Sequence, residues 1–547
     1  MAQWLESLSD NILIDKSKCI SCQECVNKCI LDNLRFKASP CRESCPLRLN
    51  CQGYIQLVAR GEEKKALEII YKSIPFAGIL GHICYAPCED SCSRREFDGE
   101  SVAIRNIKRY IVDQVIKSDE EFTESWKNDY SQNWLPEQEL TQQVAIIGGG
   151  PAGITAACFL RKQGYQVDVF EASSEIGGML SICIPEFRLP SNIVKRELGL
   201  VYDLGINVQL NKDIDSNSLS EITDKYDAVL IATGASKIKT LSIPNAQISG
   251  IINGIEFLKK VSSGENLDKI SGKRLAIIGG GNVALDAART AIRLGAKECN
   301  LVYRRTENEM PAYKEEIDNA KAEGVNFIYL AEPKEFIGNE QGEIAKVIFQ
   351  KNKLGELDIS GRPSIMKVPN SEFTINLDMV ILAIGQETNL DIFRDEDIEQ
   401  FKVNKETLQS SIEKIFVAGD FINGPMSVVK AMGDGKNVSE TIVRFLRNEP
   451  LEFGRKDSLV ANVETEVNYS DAILQPRINP EREELTEISS FNLVERTYSQ
   501  TSARTEASRC LSCGEPFGKH RTCWSCLPCE VECPEEALRV TIPYLMK

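Results

Sequence analysis

Two stretches of the chain share one pattern. Residues 144–171 read VAIIGGGPAGITAACFLRKQGYQVDVFE, and residues 275–305 read LAIIGGGNVALDAARTAIRLGAKECNLVYRR. In each, an apolar run of strand length meets a glycine-rich turn, a segment of helix length follows, and a second apolar run closes the unit. Parallel strands need a connection long enough to return to the starting edge, usually a helix, so this order specifies a parallel sheet. Strand-like and helical segments go on alternating to about residue 448. The expected fold class is therefore α/β, with two Rossmann-like nucleotide-binding units.

The glycines carry the chemistry. In the first copy Gly148, Gly150 and Gly153 fit G-x-G-x-x-G, with Gly149, Pro151 and Ala152 between them. The first glycine permits a tight turn, the second lets the backbone approach a pyrophosphate, and the third lets helix and strand close together. The phosphates then meet the positive end of the helix beginning near Pro151. Glu171 ends the second strand, where a carboxylate can take ribose hydroxyls. The second copy has Gly279, Gly280, Gly281 and Asn282, and its second strand ends in Arg304-Arg305. Two guanidiniums at that position favour the 2′-phosphate of NADP; the alternative is a solvated basic strand end. No C-x4-C follows the first unit and no CxxC sits in the second, which disfavours a disulfide reductase.

Of the nineteen cysteines, ten fall within 19–92 and six within 510–533, leaving only Cys158, Cys183 and Cys299 between. Clustering in CxxC-like spacing reads as metal binding. With only His82 and His520 to offer imidazoles, the ligands are thiolates. The N-terminal block runs Cys19-x2-Cys22-x2-Cys25-x3-Cys29, Cys41-x3-Cys45, Cys51, and Cys84-x3-Cys88-x3-Cys92. The C-terminal block has Cys510-x2-Cys513 and then Cys523-x2-Cys526-x2-Cys529-x3-Cys533-Pro534. These are bacterial ferredoxin spacings and point to [4Fe–4S] clusters, with zinc as the alternative. Ten N-terminal cysteines fit two clusters with spares. The C-terminal six fit at least one, with Cys510 and Cys513 expected at the same site as the terminal run. Both histidines read as surface residues.

A net charge of −16 argues against nucleic acid or an anionic membrane as the main partner. No run of about 18 apolar residues marks a membrane span. The opening MAQWLESLSDNILID lacks the basic flank and apolar core of a secretory signal, so a cytoplasmic location is expected.

From about residue 40 to 450 the chain resembles the small subunit of glutamate synthase and the N-terminal half of dihydropyrimidine dehydrogenase. The resemblance rests on GGGPAGITAA, FEASSEIGGML, IPEFRLP, VLIATGAS, GGGNVALDAARTAIRLGAKECNLVYRRTENEMPA, AIGQ and IFVAGDFINGP. It implies FAD in the first unit and NADPH in the second, which is inserted in the first. FAD would contact Gly148–Gly153, Glu171, Gly178, Met179, Arg188, Gly419 and Asp420. NADPH would contact Gly279–Asn282, Arg304, Arg305, Ala383, Ile384 and Gly385. Two [4Fe–4S] clusters are implied near the N-terminus, with Cys41, Cys45, Cys84, Cys88 and Cys92 among their ligands.

The chain departs from that family at several points. The usual CxxC ahead of the Cys41 position falls on Asn33 and Phe36, and the 19–29 run is expected to substitute for it. The family's Gln or Glu ligand falls on Lys108, whose ammonium cannot ligate; Cys51 is the candidate replacement. Cys183 stands where the family has glycine and reads as a small apolar residue near the flavin ring.

Residues 1–117 then read as an N-terminal helical iron–sulfur domain and 118–140 as a linker. Residues 141–250 and 375–450 are the two parts of an FAD-binding domain around an NADPH-binding domain at 251–374. Residues 451–505 form an extended connector, and 506–547 a ferredoxin-like iron–sulfur segment. Nicotinamide gives two electrons as a hydride, a cluster carries one, and a flavin handles both. No catalytic acid or nucleophile is required. The expected function is an NADPH-dependent iron–sulfur flavoprotein, the electron-transfer subunit of a larger anaerobic complex. Its partner would be a large catalytic or electron-accepting subunit, or a ferredoxin. The rivals are a true glutamate synthase small subunit and a non-enzymatic cluster scaffold with a vestigial flavin site.

Overall fold

A computed structural model describes residues 11–30, 33–117, 130–265, 270–358, 361–452, 472–482, 490–518, 523 and 525–541. Most of the expected linker, much of the expected connector, and His520 lie outside the described residues.

Two five-stranded parallel sheets form the centre. In the first, Ile415–Val417, Ala228–Ile231, Gln143–Ile147, Gln166–Phe170 and Asn207–Gln209 lie side by side in that order. Its middle strands are apolar on both faces because helices cover both. The second sheet runs Asn326–Tyr329, Glu298–Tyr303, Arg274–Ile278, Met379–Leu382 and Ile251–Asn253. Met379–Leu382 had been assigned to the returning half of the first unit. It pairs instead with Arg274–Ile278 and Ile251–Asn253, so the second unit extends past residue 374. An antiparallel meander over 331–376 packs against this sheet.

The N-terminal block contributes helices Cys51–Ala59, Glu63–Ser73, Ala77–Ile83 and Ile104–Lys117. It has no separate core. Leu57, Ile70, Ile107 and Trp134 belong to one apolar cluster with Val144, Ile154 and Met432 of the first unit. Trp134, fully buried, donates from Nε1 to the Tyr71 carbonyl at 2.9 Å. Helix Gln500–Ala507 joins the same cluster through Ala503 and Ala507. Buried charge fastens it further: Glu506 accepts from the backbone N–H of Ala103 and Ile478 at 2.9 and 2.8 Å, and its carboxylate meets Arg509 at 2.8 Å.

The chain ends meet. Ile12–Ile14 pairs antiparallel with Leu538–Val540, and Leu34–Lys37 pairs antiparallel with Glu515–Gly518. Between them lies a small separate core of Cys25, Leu34, Cys529 and Leu538. The first block is therefore not purely helical, and both strands of the terminal segment pair with strands of that block. Among the described residues, no helix is long and apolar enough to cross a membrane.

Candidate functional site

The first glycine turn joins strand Gln143–Ile147 to helix Pro151–Lys162. Gly148 has φ +106°, and a Cβ there would come within 2.5 Å of the Ala232 carbonyl oxygen, so no other residue fits. In front of Gly150 a Cβ would meet nothing within 4 Å, and no side chain caps the helix. The first-turn N–H groups are thus left for an anionic ligand, the arrangement a pyrophosphate needs. Glu171 is buried and accepts from the Gly149 N–H at 2.7 Å and the Ser173 N–H at 2.8 Å. Gly178 lies beside Gly150 and leads into the short helix Met179–Ile182. Gly419 abuts Ala152, and Asp420 accepts from the Met426 N–H at 3.0 Å. Burial raises the Asp420 carboxyl from 3.8 to about 6.

Arg188, expected at the flavin, lies at the boundary between the two units. It holds Asp286 of the second unit with two hydrogen bonds of 2.8 and 2.7 Å and meets Glu316 at 3.1 Å. It latches the two units together. Cys183 is buried among Met179, Ile182 and residues of the second unit's core, and burial pushes its thiol up to about 12, away from thiolate chemistry.

The second turn repeats the first. Gly279, at φ +150°, lies against the Ala383 carbonyl, where a Cβ would collide, and helix Asn282–Arg293 again has no side-chain cap. Ala383, Ile384 and Gly385 continue from strand Met379–Leu382 beside this turn. The two arginines part company: Arg304 is exposed, whereas Arg305 is buried and donates from Nε to the Pro363 carbonyl at 2.8 Å.

Sixteen cysteines gather in four groups. Cys19, Cys22, Cys25 and Cys533 line one small cavity. Cys29, Cys523, Cys526 and Cys529 line a second. Cys41, Cys92, Cys510 and Cys513 line a third. Cys45, Cys51, Cys84 and Cys88 are all buried in one apolar cluster of the N-terminal block, with Cys51 beside both Cys88 and Cys41. Burial and neighbouring thiols push Cys25 up to about 12 and Cys529 up to about 11. Thiols so crowded become thiolates only when metal supplies compensating charge. Among the described residues, no three His, Cys, Asp or Glu side chains form a group that could hold one metal ion. Rings around a void fit a four-iron cube and not a zinc ion bonded at one centre.

This grouping corrects three expectations. Cys510 and Cys513 do not join the terminal run; they face Cys41 and Cys92. Pairing of Glu515–Gly518 with Leu34–Lys37 brings Cys510 and Cys513 to Cys41 and Cys92, whereas Cys19, Cys22 and Cys25 line a different cavity, so the 19–29 run is not the substitute. Nor do ten N-terminal cysteines make two self-contained sets, since only Cys45, Cys51, Cys84 and Cys88 form a group without the C-terminal block. Cys51, the candidate replacement, is buried between Cys41 and Cys88, and buried Lys108 stands close enough to Cys84 to pull its thiol down against the opposing effect of burial.

His82 is not a surface residue. It is buried, with Nδ1 2.8 Å from the Gly78 carbonyl, and burial together with Arg109 holds it down at about 4. Its apolar neighbours Ile79, Leu80 and Ile83 were the signal. Gln52 and Tyr85, neighbours of Cys51 and Cys84, carried no motif and went unnoticed in the sequence.

Residues 142–435 match the family described as Pyridine nucleotide-disulphide oxidoreductase, and residues 5–120 match Dihydropyrimidine dehydrogenase domain II, 4Fe-4S cluster. The NADP(+)-dependent formate dehydrogenase subunit beta of Moorella thermoacetica is 35% identical over 507 residues, covering 87% of this chain and 71% of that protein. The NADPH-Fe(3+) oxidoreductase subunit beta of Geobacter sulfurreducens is 31% identical over 87% of this chain and 75% of its own. The Glutamate synthase [NADPH] small chain of Azospirillum brasilense is 31% identical over 78% of this chain and 89% of its own. The chain belongs to the pyridine nucleotide-disulphide oxidoreductase family, among the iron–sulfur flavoproteins related to glutamate synthase small subunits.

Proposed function

We propose that this chain carries electrons between NADPH, at the second glycine turn, and a one-electron acceptor in a partner subunit, through FAD at the first turn and [4Fe–4S] clusters beyond it. Gly148–Gly153 and the uncapped helix after them hold the FAD pyrophosphate, Glu171 its ribose, and Gly178, Met179, Gly419 and Asp420 the remainder. Gly279–Asn282 and Ala383–Gly385 hold NADPH, with exposed Arg304 taking the 2′-phosphate. Arg305 supports the strand end through its bond to Pro363. Arg188 fixes the second unit against the first. Hydride and single-electron chemistry both belong to the bound flavin; the protein aligns it and excludes side reactions.

The observation that carries this reading is the contact between the inner cysteine group and both nucleotide units. Tyr85, next to Cys84, stacks on Tyr313 of the second unit with ring centroids 5.3 Å apart and planes 3° from parallel. Lys436, on the helix that follows Asp420, donates to the Leu47 carbonyl at 2.9 Å, two residues from Cys45. The two beta subunits match 87% of the chain against 78% for the glutamate synthase small chain, which favours a subunit of a redox complex. Its place would be the cytoplasm, where this many thiols stay reduced.

The test is anaerobic purification, with flavin and iron counted, NADPH-dependent viologen reduction assayed, and co-eluting chains identified by mass. Flavin, iron and viologen reduction together with a large redox subunit support the proposal. A co-eluting amidotransferase would transfer the chain to glutamate synthase, and absence of flavin would leave only a cluster scaffold.

A further inference from the structure

The two short halves at the chain ends match residue for residue. Each places a strand, a CxxCxxCxxxC run, a one-turn helix and a second strand or its mirror: Ile12–Ile14, Glu24–Asn27 and Leu34–Lys37 at one end, Glu515–Gly518, Pro528–Val531 and Leu538–Val540 at the other. Their backbones match where no local rule demands it. Ser21 and Gln23 have φ +54° and +75°, and their counterparts Ser525 and Leu527 have φ +51° and +70°. Residues other than glycine rarely adopt this conformation, and a bulky leucine there is a genuine outlier. Repeated at equivalent places beside equivalent cysteines, it turns successive N–H groups into the concavity that anionic clusters occupy. The last cysteine of each run also receives equivalent bonds: Asn33 N–H donates to Cys29 Sγ at 3.3 Å, and Ala537 N–H to Cys533 Sγ at 3.2 Å.

The ligands cross. Cys533, last in the C-terminal run, lines the cavity of Cys19, Cys22 and Cys25, while Cys29, last in the N-terminal run, lines the cavity of Cys523, Cys526 and Cys529. Exchange of the fourth cysteine between neighbouring clusters is the ligation of a two-cluster ferredoxin.

We propose that the two ends of the chain build one two-cluster ferredoxin, with the whole flavoprotein inserted between its halves, and that sixteen cysteines hold four [4Fe–4S] clusters, three of them bridging both ends. This rests on the electron-transfer reading above and extends it to the ligand sets. The third bridging cluster takes Cys41 and Cys92 from one end and Cys510 and Cys513 from the other; the fourth takes Cys45, Cys51, Cys84 and Cys88. Contacts order the four in a line. The Cys45 group touches the nucleotide units through Tyr85, and Cys51 Sγ lies 4.0 Å from the carbonyl oxygen of Cys41 in the next. Gly514, after Cys513, accepts from Ser21, beside Cys22, at 2.7 Å. Cys25 and Cys529 share one small buried core across the ferredoxin unit. The line ends at the Cys29 cavity, where Cys526 is exposed.

Four full-chain variants, Cys19→Ala, Cys533→Ala, Cys29→Ala and Cys523→Ala, are purified anaerobically, and iron, sulfide, flavin and the dithionite-reduced EPR spectrum are measured. The wild-type chain is expected to hold about sixteen irons, four for each cluster. Cys19→Ala and Cys533→Ala should give superimposable spectra, and Cys29→Ala and Cys523→Ala a second matching pair, all with normal flavin. The serine variants at the same positions give the same pairing if an alanine variant fails to accumulate. Spectra that pair Cys19 with Cys29, and Cys533 with Cys523, would overturn the crossed ligation while leaving the electron-transfer reading intact. A wild-type chain with flavin but no iron would overturn that reading as well.

Discussion

Gln52 and Gly514 hold each other in both directions: the Gly514 N–H donates to Gln52 Oε1 at 2.6 Å, and Gln52 Nε2 donates to the Gly514 carbonyl at 2.8 Å. Gln52 Nε2 also reaches Ser21 Oγ at 2.7 Å. Gln52 follows Cys51, Gly514 follows Cys513, and Ser21 precedes Cys22. One buried amide therefore ties together residues adjacent to cysteines of three of the four groups.

Replacing that amide should loosen the C-terminal arm. Gln52→Ala leaves the Gly514 N–H unpaired in a buried site, at a cost of about 1–3 kcal/mol, while the Gly514 carbonyl keeps its bond from Ser21 Oγ. Gln52→Glu places a carboxylate against a carbonyl with no proton to share. Both variants should retain flavin and lose iron, Gln52→Glu the more. The iron-to-flavin ratio of protein purified without oxygen checks this, and a wild-type ratio in both would refute it.

The arginine doublet should divide by function. Arg304→Ala removes a charged donor from solvent-facing space at the strand end, which at about 1.5–3 kcal/mol raises KM for NADPH roughly 10- to 150-fold. KM for NADH should barely move. Arg305→Ala instead breaks the bond to Pro363 and lowers thermal stability, with a smaller change in nucleotide preference. Steady-state kinetics with both nucleotides, alongside melting curves, separates the two. Equal effects on NADPH would return the doublet to a shared role.

Much of the nucleotide machinery was legible because its signals are local: an apolar run, a glycine turn and a helix follow one another directly in sequence. The cluster partition was not. The spacing of the runs at 19–29 and 523–533 allows the last cysteine of each to serve another cluster, but which one is not local information, and only the pairing of Ile12 with Val540 and of Lys37 with Glu515 brings the halves together. Those strands are three and four residues long, too short for periodicity to show. Met379–Leu382 failed for a related reason. A short apolar run fits the middle of either parallel sheet, and its neighbours decide which. Arg188 carried a familiar motif, yet its partner Asp286 lies far along the chain.

Asp420 should make the flavin-depleted chain lose stability as pH rises. Burial lifts its carboxyl from 3.8 to about 6, so the folded state binds a proton that the unfolded state has already released. That contribution is fully present below about pH 3.8 and disappears as pH rises through about 6; the two-unit shift is worth about 3 kcal/mol at most. Asp420→Asn, neutral throughout, should remove the slope. Guanidinium unfolding of both proteins between pH 4 and 7 provides the comparison. The variant's advantage should grow with pH to a plateau; parallel curves would mean that the carboxyl ionises in the folded state as it does in water.

Lys108 bears on the cluster nearest the flavin. Its side chain is buried and its charge acts on Cys84, in the group that includes Cys51. A fixed positive charge beside a buried cluster stabilises the reduced form, which carries one more negative charge, and so raises the reduction potential. Lys108→Gln keeps the side chain's length and polarity but removes that charge. The potential of this one cluster should fall by tens of millivolts, the size of a single partly screened charge at such range. Redox titration followed by EPR should show one signal displaced and the others unmoved, with iron content unchanged. Displacement of all signals together would point to a general disturbance, and no displacement would place the ammonium too far from the cluster to act on it. An inner cluster with a raised potential would draw electrons from the flavin readily and release them outward less readily. The charge on Lys108 therefore bears on the balance between charging the wire and discharging it.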